Sequence, residues 1–197
     1  MNKEESQPRN RSDLEEAQRL LGAALAHVLQ HGYQDQSLRA MAEALNTSHR
    51  MLIYYFGSAE GFWEALQRYS RRIRLNQMAQ QSAQKQMPSM QAAWADLSSP
   101  SNLPLFRLMF QIYGKALGQP ARYQDFLQEV VDDWLDTLTQ DLIAQFGWPH
   151  EQARVQARLR LAVIRGLALD LLTTGDHEGT RQALLLFTQF MDASAAR

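Results

Sequence analysis

His49 and Arg50 stand side by side directly after the turn-forming run Asn46-Thr47-Ser48, and together they carry the chemistry of a base-reading surface. An arginine so placed pairs bidentately with guanine O6 and N7, and a histidine donates to a guanine or meets a phosphate. A good bidentate pair is worth about 1 to 3 kcal/mol of discrimination. Ile53, one turn later, offers an apolar surface to a thymine methyl. At about 100° per residue, a helix gathers His49, Arg50, Ile53 and Tyr54 on one arc of roughly 140° while Leu52 and Phe56 turn inward. Such an arc is plain solvent face unless a rigid neighbour presents it to a groove, so the flanking elements decide the reading.

Those elements match a helix-turn-helix over about residues 37–56. Ser37 caps a short segment in which Leu38, Met41, Ala42 and Leu45 repeat at helical spacing, with Met41 and Leu45 directed inward. Ala42 is small where two helices would cross. Four residues on, Asn46 occupies the turn, and Asn is among the few non-glycine types that accept positive φ. Thr47 or Ser48 then caps the second helix. Upstream, Leu14, Ala17, Leu21, Ala24, Leu25 and Val28 form the stripe of a first helix that stops at Gly32. Downstream, Gly57 and Ser58 open a further helix carrying Phe62, Leu66, Tyr69 and Ile73 on one side.

The rest of the chain also reads as helices, and no alternating β-branched run predicts a sheet. The Gln-rich stretch after Asn76 extends the previous helix until Pro88 interrupts it. Further helices are predicted around Met90–Leu97, Leu105–Ile112, Tyr123–Leu142, His150–Thr173 and Glu178–Ala193. The expectation is an all-α chain of about nine helices, with a three-helix DNA-binding domain at residues 12–72 and a second helical domain at 73–197. Residues 1–78 hold 10 Lys and Arg against 9 Asp and Glu, and residues 79–197 hold 10 against 12, so no general basic field argues for nucleic acid. Arg68, Arg71, Arg72 and Arg74 crowd together and read as a solvated helix face.

From Leu20 to Leu66 the sequence resembles the TetR family of bacterial regulators, in the pieces AALAHVLQHGY, SLRAMAEAL, NTS, LIYYF and GSAEGF. The resemblance implies that Ser37, Arg39, Tyr54, Tyr55 and Ser58 join Thr47, Ser48, His49, Arg50 and Ile53 in facing bases or phosphates, backbone contacts positioning the domain while base contacts specify. It also implies a dimer and a regulatory second half, with the helical domain at 73–197 ligand-binding and dimerising. Three positions depart from the family pattern. Ile53 stands where a Tyr is usual, Tyr55 where a His is usual, and Ala59 where a Lys normally meets phosphate. Each missing charge contact makes the salt dependence of binding shallower by about 0.9 in log–log slope.

In the second half, Trp94, Phe106, Met109, Phe110, Tyr113, Phe126 and Trp134 concentrate aromatic and sulfur side chains suited to an apolar effector or to plain core. Asp132, Asp133 and Arg107 are candidates to orient a polar group. The last two helices carry Leu161, Ile164, Leu167, Ala168 and Leu171, then Leu184, Phe187, Phe190 and Met191, more apolar surface than one small domain hides, so these are the expected dimer face.

Several chemistries drop out. The chain has no cysteine, hence no disulfide, thiol catalysis or thiolate metal site. No phosphate-cradling glycine loop is present, and lysine occurs only at Lys3, Lys85 and Lys115. His27 and His31 have a metal-compatible spacing without a third ligand nearby. No apolar run has the length of a membrane span and the first 13 residues lack the apolar core of a signal peptide. The expectation is therefore a cytoplasmic regulator without cofactor or metal. It partners double-stranded operator DNA, itself as a homodimer, and an unidentified small-molecule effector. It is a repressor by the family's habit. A helical adaptor for protein partners is the rival reading.

Overall fold

The computed structural model describes residues 11–32, 37–84 and 89–195. Among them the chain forms nine helices and no strand: α1 (Arg11–His31), α2 (Leu38–Ala44), α3 (His49–Phe56), α4 (Ala59–Ala83), α5 (Met90–Leu97), α6 (Leu103–Leu117), α7 (Pro120–Phe146), α8 (His150–Thr174) and α9 (His177–Ala195). Pro88, read above as the interruption after α4, lies outside the described residues. The chain divides into two compact units, Met1–Ser70 and Arg71–Arg197, with the boundary inside α4.

In the first unit the apolar stripe of α1 is buried through Ala17, Leu20, Leu21, Ala24 and Val28, and Gly32 ends the helix at φ 79°. Ser37 caps α2 by accepting the Ala40 N–H, and Leu38, Met41 and Ala42 face inward. Asn46 then takes φ 52°, the only non-glycine among the described residues in the left-handed region. The Thr47 N–H closes the turn on the Ala42 carbonyl at 2.9 Å, and Ser48 caps α3 by accepting the Met51 N–H. Ala42 is 1% exposed, as a crossing point demands. The turn from α3 into α4 is tighter still. Gly57 sits at φ 79°, and a Cβ at Gly61 would collide with the Phe56 carbonyl oxygen, so the chain needs a glycine there. Ser58 caps α4 through the Gly61 N–H, and Phe62 and Leu66 complete the core.

The second unit is organised around the antiparallel pair α7 and α8. Gly147, at φ 66°, stops α7, and Pro149 precedes α8. Ala153 and Ala157 on α8 are fully buried against Leu135 and Leu142 on α7, their short side chains letting the helices approach closely. A second cluster gathers Trp94, Ala168, Leu171 and Leu184, with Phe106, Phe110, Ile164, Leu167 and Phe187 packed against it. The arginine run is not a uniform solvated face. The Arg71 side chain is only 5% exposed and pairs with Asp133 at 3.0 Å and Glu129 at 3.8 Å on α7, while Arg74 meets Asp96 at 2.6 Å. Arg71 falls on the inward arc of α4, where a cation persists only with acidic partners.

Position 46 gives a direct test of the turn. Asn46→Gly should leave stability unchanged or raise it, while Asn46→Val should cost about 1 to 2 kcal/mol because a β-branched residue resists the left-handed region. Urea denaturation of both variants checks this, and equal stabilities would contradict a φ-limited turn.

Candidate nucleic-acid interface and inner cavity

Eight residues of α3 divide between two surfaces. Leu52 is fully buried and Tyr55 is 7% exposed, whereas His49 and Arg50 are exposed and Tyr54 is 55% exposed. Ile53 is half-buried beside them. His49 and Arg50 occupy the first turn of the helix, the part that meets base edges when such a helix enters a major groove. Tyr54 is also tethered, donating from its hydroxyl to Asp13 on α1 at 3.3 Å.

Tyr55 is a correction to the sequence reading. Its ring is turned into the unit, with the Tyr54 and Phe56 rings at 5.0 and 6.3 Å, rather than toward solvent. Phe56, expected fully inside, is only half-buried. The inward arc of α3 runs through Leu52 and Tyr55, three residues apart, so the buried aromatic is one position earlier than the sequence suggested.

Ser37, Ser48 and Ser58 each accept a backbone N–H at the start of α2, α3 and α4, at 3.2, 3.1 and 2.9 Å. A hydroxyl that accepts at a cap keeps its own O–H, a donor suited to a phosphate oxygen. Arg39 is exposed in the first turn of α2, and Thr47 is half-buried in the turn. Position 59 is alanine and brings no cation to the first turn of α4. His27 and His31 stack at 4.3 Å, and no group of three potential metal ligands occurs among the described residues.

The second unit holds a partly open cavity of ≈ 850 Å³. Of the seven side chains proposed from sequence, Phe106, Met109 and Trp134 line it. Trp94 and Phe110 belong instead to the cluster around Ala168 and Leu184. Phe126 is 2% exposed and is core, and Tyr113, half-buried with its ring 6.4 Å from that of Phe126, does not line the cavity. Sequence reasoning missed the polar wall: Gln77 and Gln81, one helical turn apart on α4, and Gln84 just past its end line the cavity, a signal present in the Gln-rich run. It also missed Leu138, Leu142, Arg160 and Arg165. Asp132 and Asp133 face arginines, at 3.8 Å from Arg154 and 3.0 Å from Arg71. They do not line the cavity, and neither does the exposed Arg107.

The residues expected to form a dimer face mostly pack within their own unit. Leu161, Ala168, Leu171 and Leu184 are buried within their own unit, with Ile164, Leu167 and Phe187 packed against the same clusters and Met191 half-buried on the cavity wall. Of that set only Phe190 is open, at 64% exposure. A different arc of α8 faces outward, Val155, Leu159, Ala162, Gly166 and Leu169, joined on α9 by Leu186 and Phe190. Helix α8 is apolar on two faces, and the sequence reading selected the one that packs internally.

The chain is 28% identical over 188 residues to the HTH-type transcriptional regulator BetI of Paraburkholderia phymatum, covering 90% of this chain and 92% of that protein. It is 25% identical over 183 residues to BetI of Yersinia pestis, covering 89% and 90%. Its fold matches the crystal structure of a putative transcriptional regulator from Pseudomonas aeruginosa PAO1 with a TM-score of 0.64 at 17% identity, covering 99% and 97% of the two chains. The multidrug binding protein EbrR, solved with imidazole, matches at TM-score 0.50 and 23% identity, over 94% and 96%. No family model matches the chain. Near-full-length likeness to helix-turn-helix regulators, on an all-helical two-unit fold, defines a DNA-binding transcriptional regulator rather than an enzyme. Within that class, the likeness to the BetI regulators agrees with the resemblance to the TetR family carried by residues 20–66.

Asp141, on the cavity wall, is 9% exposed, and its Oδ2 has no hydrogen-bond partner. Burial pushes its carboxyl pKa up, opposed by a hydrogen bond with Ser82. The folded state therefore holds this proton more tightly than the unfolded chain. Stability is greatest below the ordinary aspartate range near about 3.9 and falls as pH rises through it toward the raised value. Asp141→Asn should stabilise the protein at pH 7 by about 1 to 3 kcal/mol, with the difference vanishing in acid. Urea titrations at both ends of the window measure this, and a pH-independent effect would contradict it.

Proposed function

We propose that the protein is a repressor that binds an inverted-repeat operator as a homodimer and releases it when a small-molecule effector occupies the second unit. Residues 12–72 act as the DNA-binding domain and residues 73–197 as the regulatory and dimerisation domain, in the cytoplasm. The observation that carries this reading is the exposure of His49 and Arg50 on the first turn of a helix held by the Asn46 turn. Arg50 reads a guanine, His49 a neighbouring base or a phosphate, and Ile53 a thymine methyl. Ser37, Arg39, Thr47, Ser48, Tyr54 and Ser58 fix the register on the backbone. Tyr55 supports α3 from inside, and the amides at the start of α4 hold their phosphate without a lysine.

One short helix reads few base pairs, so two half-sites roughly 34 to 36 Å apart supply the needed information through a two-fold dimer. The outward stripe at positions 155, 159, 162, 166 and 169 of α8 supports that dimer, together with Leu186 and Phe190 of α9. Its spacing of four then three is that of a helix packing seam, and nothing lies within 4 Å of a Cβ built at Gly166, which leaves room for a close crossing. The cavity supports the effector half of the reading, its volume lying within the range of small-molecule sites. An effector bound there more tightly in one spacing of the two reading heads than in the other shifts the dimer away from its operator.

Operator sites selected from random duplexes provide the substrate for two tests. Arg50→Ala should lower specific affinity by about 5- to 150-fold while leaving weak non-specific binding, as read by fluorescence anisotropy across a salt series. Retention of full specificity would remove Arg50 from the interface, and selective capture of a protein partner with no DNA preference would favour the adaptor instead. The double variant Leu186→Glu with Phe190→Glu should shift the protein from dimer to monomer in sedimentation velocity and weaken operator binding. An unchanged dimer would place the interface elsewhere.

A further inference from the structure

Resting on the effector reading just given, the cavity wall also specifies the charge of what it takes. Arg165 on α8 is half-buried and lines the cavity. Its guanidinium lies 5.4 Å from the centre of the Tyr113 ring, and Nη2 donates to the Val130 carbonyl at 3.2 Å. Among the described residues no carboxylate stands within ion-pairing distance of it; burial pushes its pKa down, the Tyr113 hydroxyl opposes this through its charge and a hydrogen bond, and the nearby charge of Arg71 adds to the lowering.

The neighbouring charges are settled differently. Arg74 on the same wall is matched by Asp96 at 2.6 Å, and Arg71 by Asp133 and Glu129. Arg160 lies over the rings of Phe146 and Trp148, at 5.7 and 5.8 Å. Asp141 is the remaining acid of the wall, and its polar contact is with Ser82 on α4. A buried carboxyl sheds its charge by taking up a proton, whereas a guanidinium stays charged throughout the working pH range. Burial therefore leaves a lasting, uncompensated positive charge on Arg165 and none that Asp141 must keep.

We propose that the cavity takes an amphipathic organic anion, its carboxylate head paired with Arg165 and its apolar body lying along Phe106, Met109, Leu138 and Ile164. The planar fork of the guanidinium matches a carboxylate with two parallel N–H donors. The four apolar side chains all line the same cavity, and Ile164 is the neighbour of Arg165 on α8. Head and tail subsites are thus adjacent.

Decanoate, decanol and decylamine share a tail and differ in the head, so calorimetric titration of the full chain with each one reads the preference directly. Decanoate should bind saturably, and decanol and decylamine at least about tenfold more weakly. Arg165→Gln should erase decanoate's advantage over decanol without changing decanol binding, and Arg165→Lys should restore part of it. Circular dichroism of each variant reports its fold, and Lys carries the test if Gln fails to fold. Tightest binding by decylamine, or decanoate binding indifferent to both substitutions, overturns the proposal, as does no binding by any of the three. Operator release is scored separately. Decanoate that binds through Arg165 yet leaves the operator complex intact supports the anion site and sinks the effector reading, whereas release by the amine alone does the reverse.

Discussion

A single left-handed residue sets the first unit. Asn46 reverses the chain between α2 and α3 within Leu45–Ser48, and its backbone conformation is one that most side chains resist. The closing hydrogen bond from Thr47 to Ala42 fixes the angle at the point where Ala42 has no bulk to hold the helices apart. Helices of seven and eight residues are too short to persist alone in water. Their order comes from the turn, from two serine caps and from the buried faces that carry Leu38, Met41 and Ala42 on α2 and Leu52 and Tyr55 on α3. The exposure of His49 and Arg50 is a consequence of that arrangement, because fixing the inward arc of α3 leaves those two side chains nowhere else to point.

How far the sequence was legible follows from what kind of constraint each element carries. The helix-turn-helix was readable because its requirements are local: a cap at Ser37, a small residue at 42, a positive-φ residue at 46 and a cap at Ser48 all fall within a dozen positions. The glycine stops at Gly32, Gly57, Gly147 and Gly175 are local in the same sense. Tyr55 was misplaced because the residues on either side of an inward arc differ by one helical step, and its polar hydroxyl hid the fact that the ring is core. Trp94, Phe110, Tyr113 and Phe126 were misassigned for a related reason. An aromatic side chain buried in a cluster and one lining a cavity have the same type and the same periodicity, and only the packing of other helices tells them apart.

Helix α8 shows the limit most clearly. Its inner face, through Ala153, Ala157, Leu161, Ala168 and Leu171, is buried against its own unit, and its outer face bears Val155, Leu159 and Leu169. A helix apolar on two sides gives no strong single direction, so composition announces that something must be covered without saying which side the fold already covers. The small residues Ala162 and Gly166 on the outer face were the available signal, since an exposed helix interior gains nothing from glycine unless another backbone comes close.

Two arginines of the second unit make the same distinction for charge. Arg71 reads in sequence as one of four cations on a helix, yet it is buried and has two carboxylates on α7. Removing those acids would leave a buried cation unpaired, so the three residues form one structural unit and their role ends with the fold. Arg165 lies in the same unit, held by the Val130 carbonyl and by the ring and hydroxyl of Tyr113, with open volume beside it. Neutral partners lower the cost of holding a guanidinium away from water without cancelling its charge. A fold that supplies two carboxylates to one buried arginine and none to another, on helices already packed together, leaves the second able to respond to an anion that comes and goes.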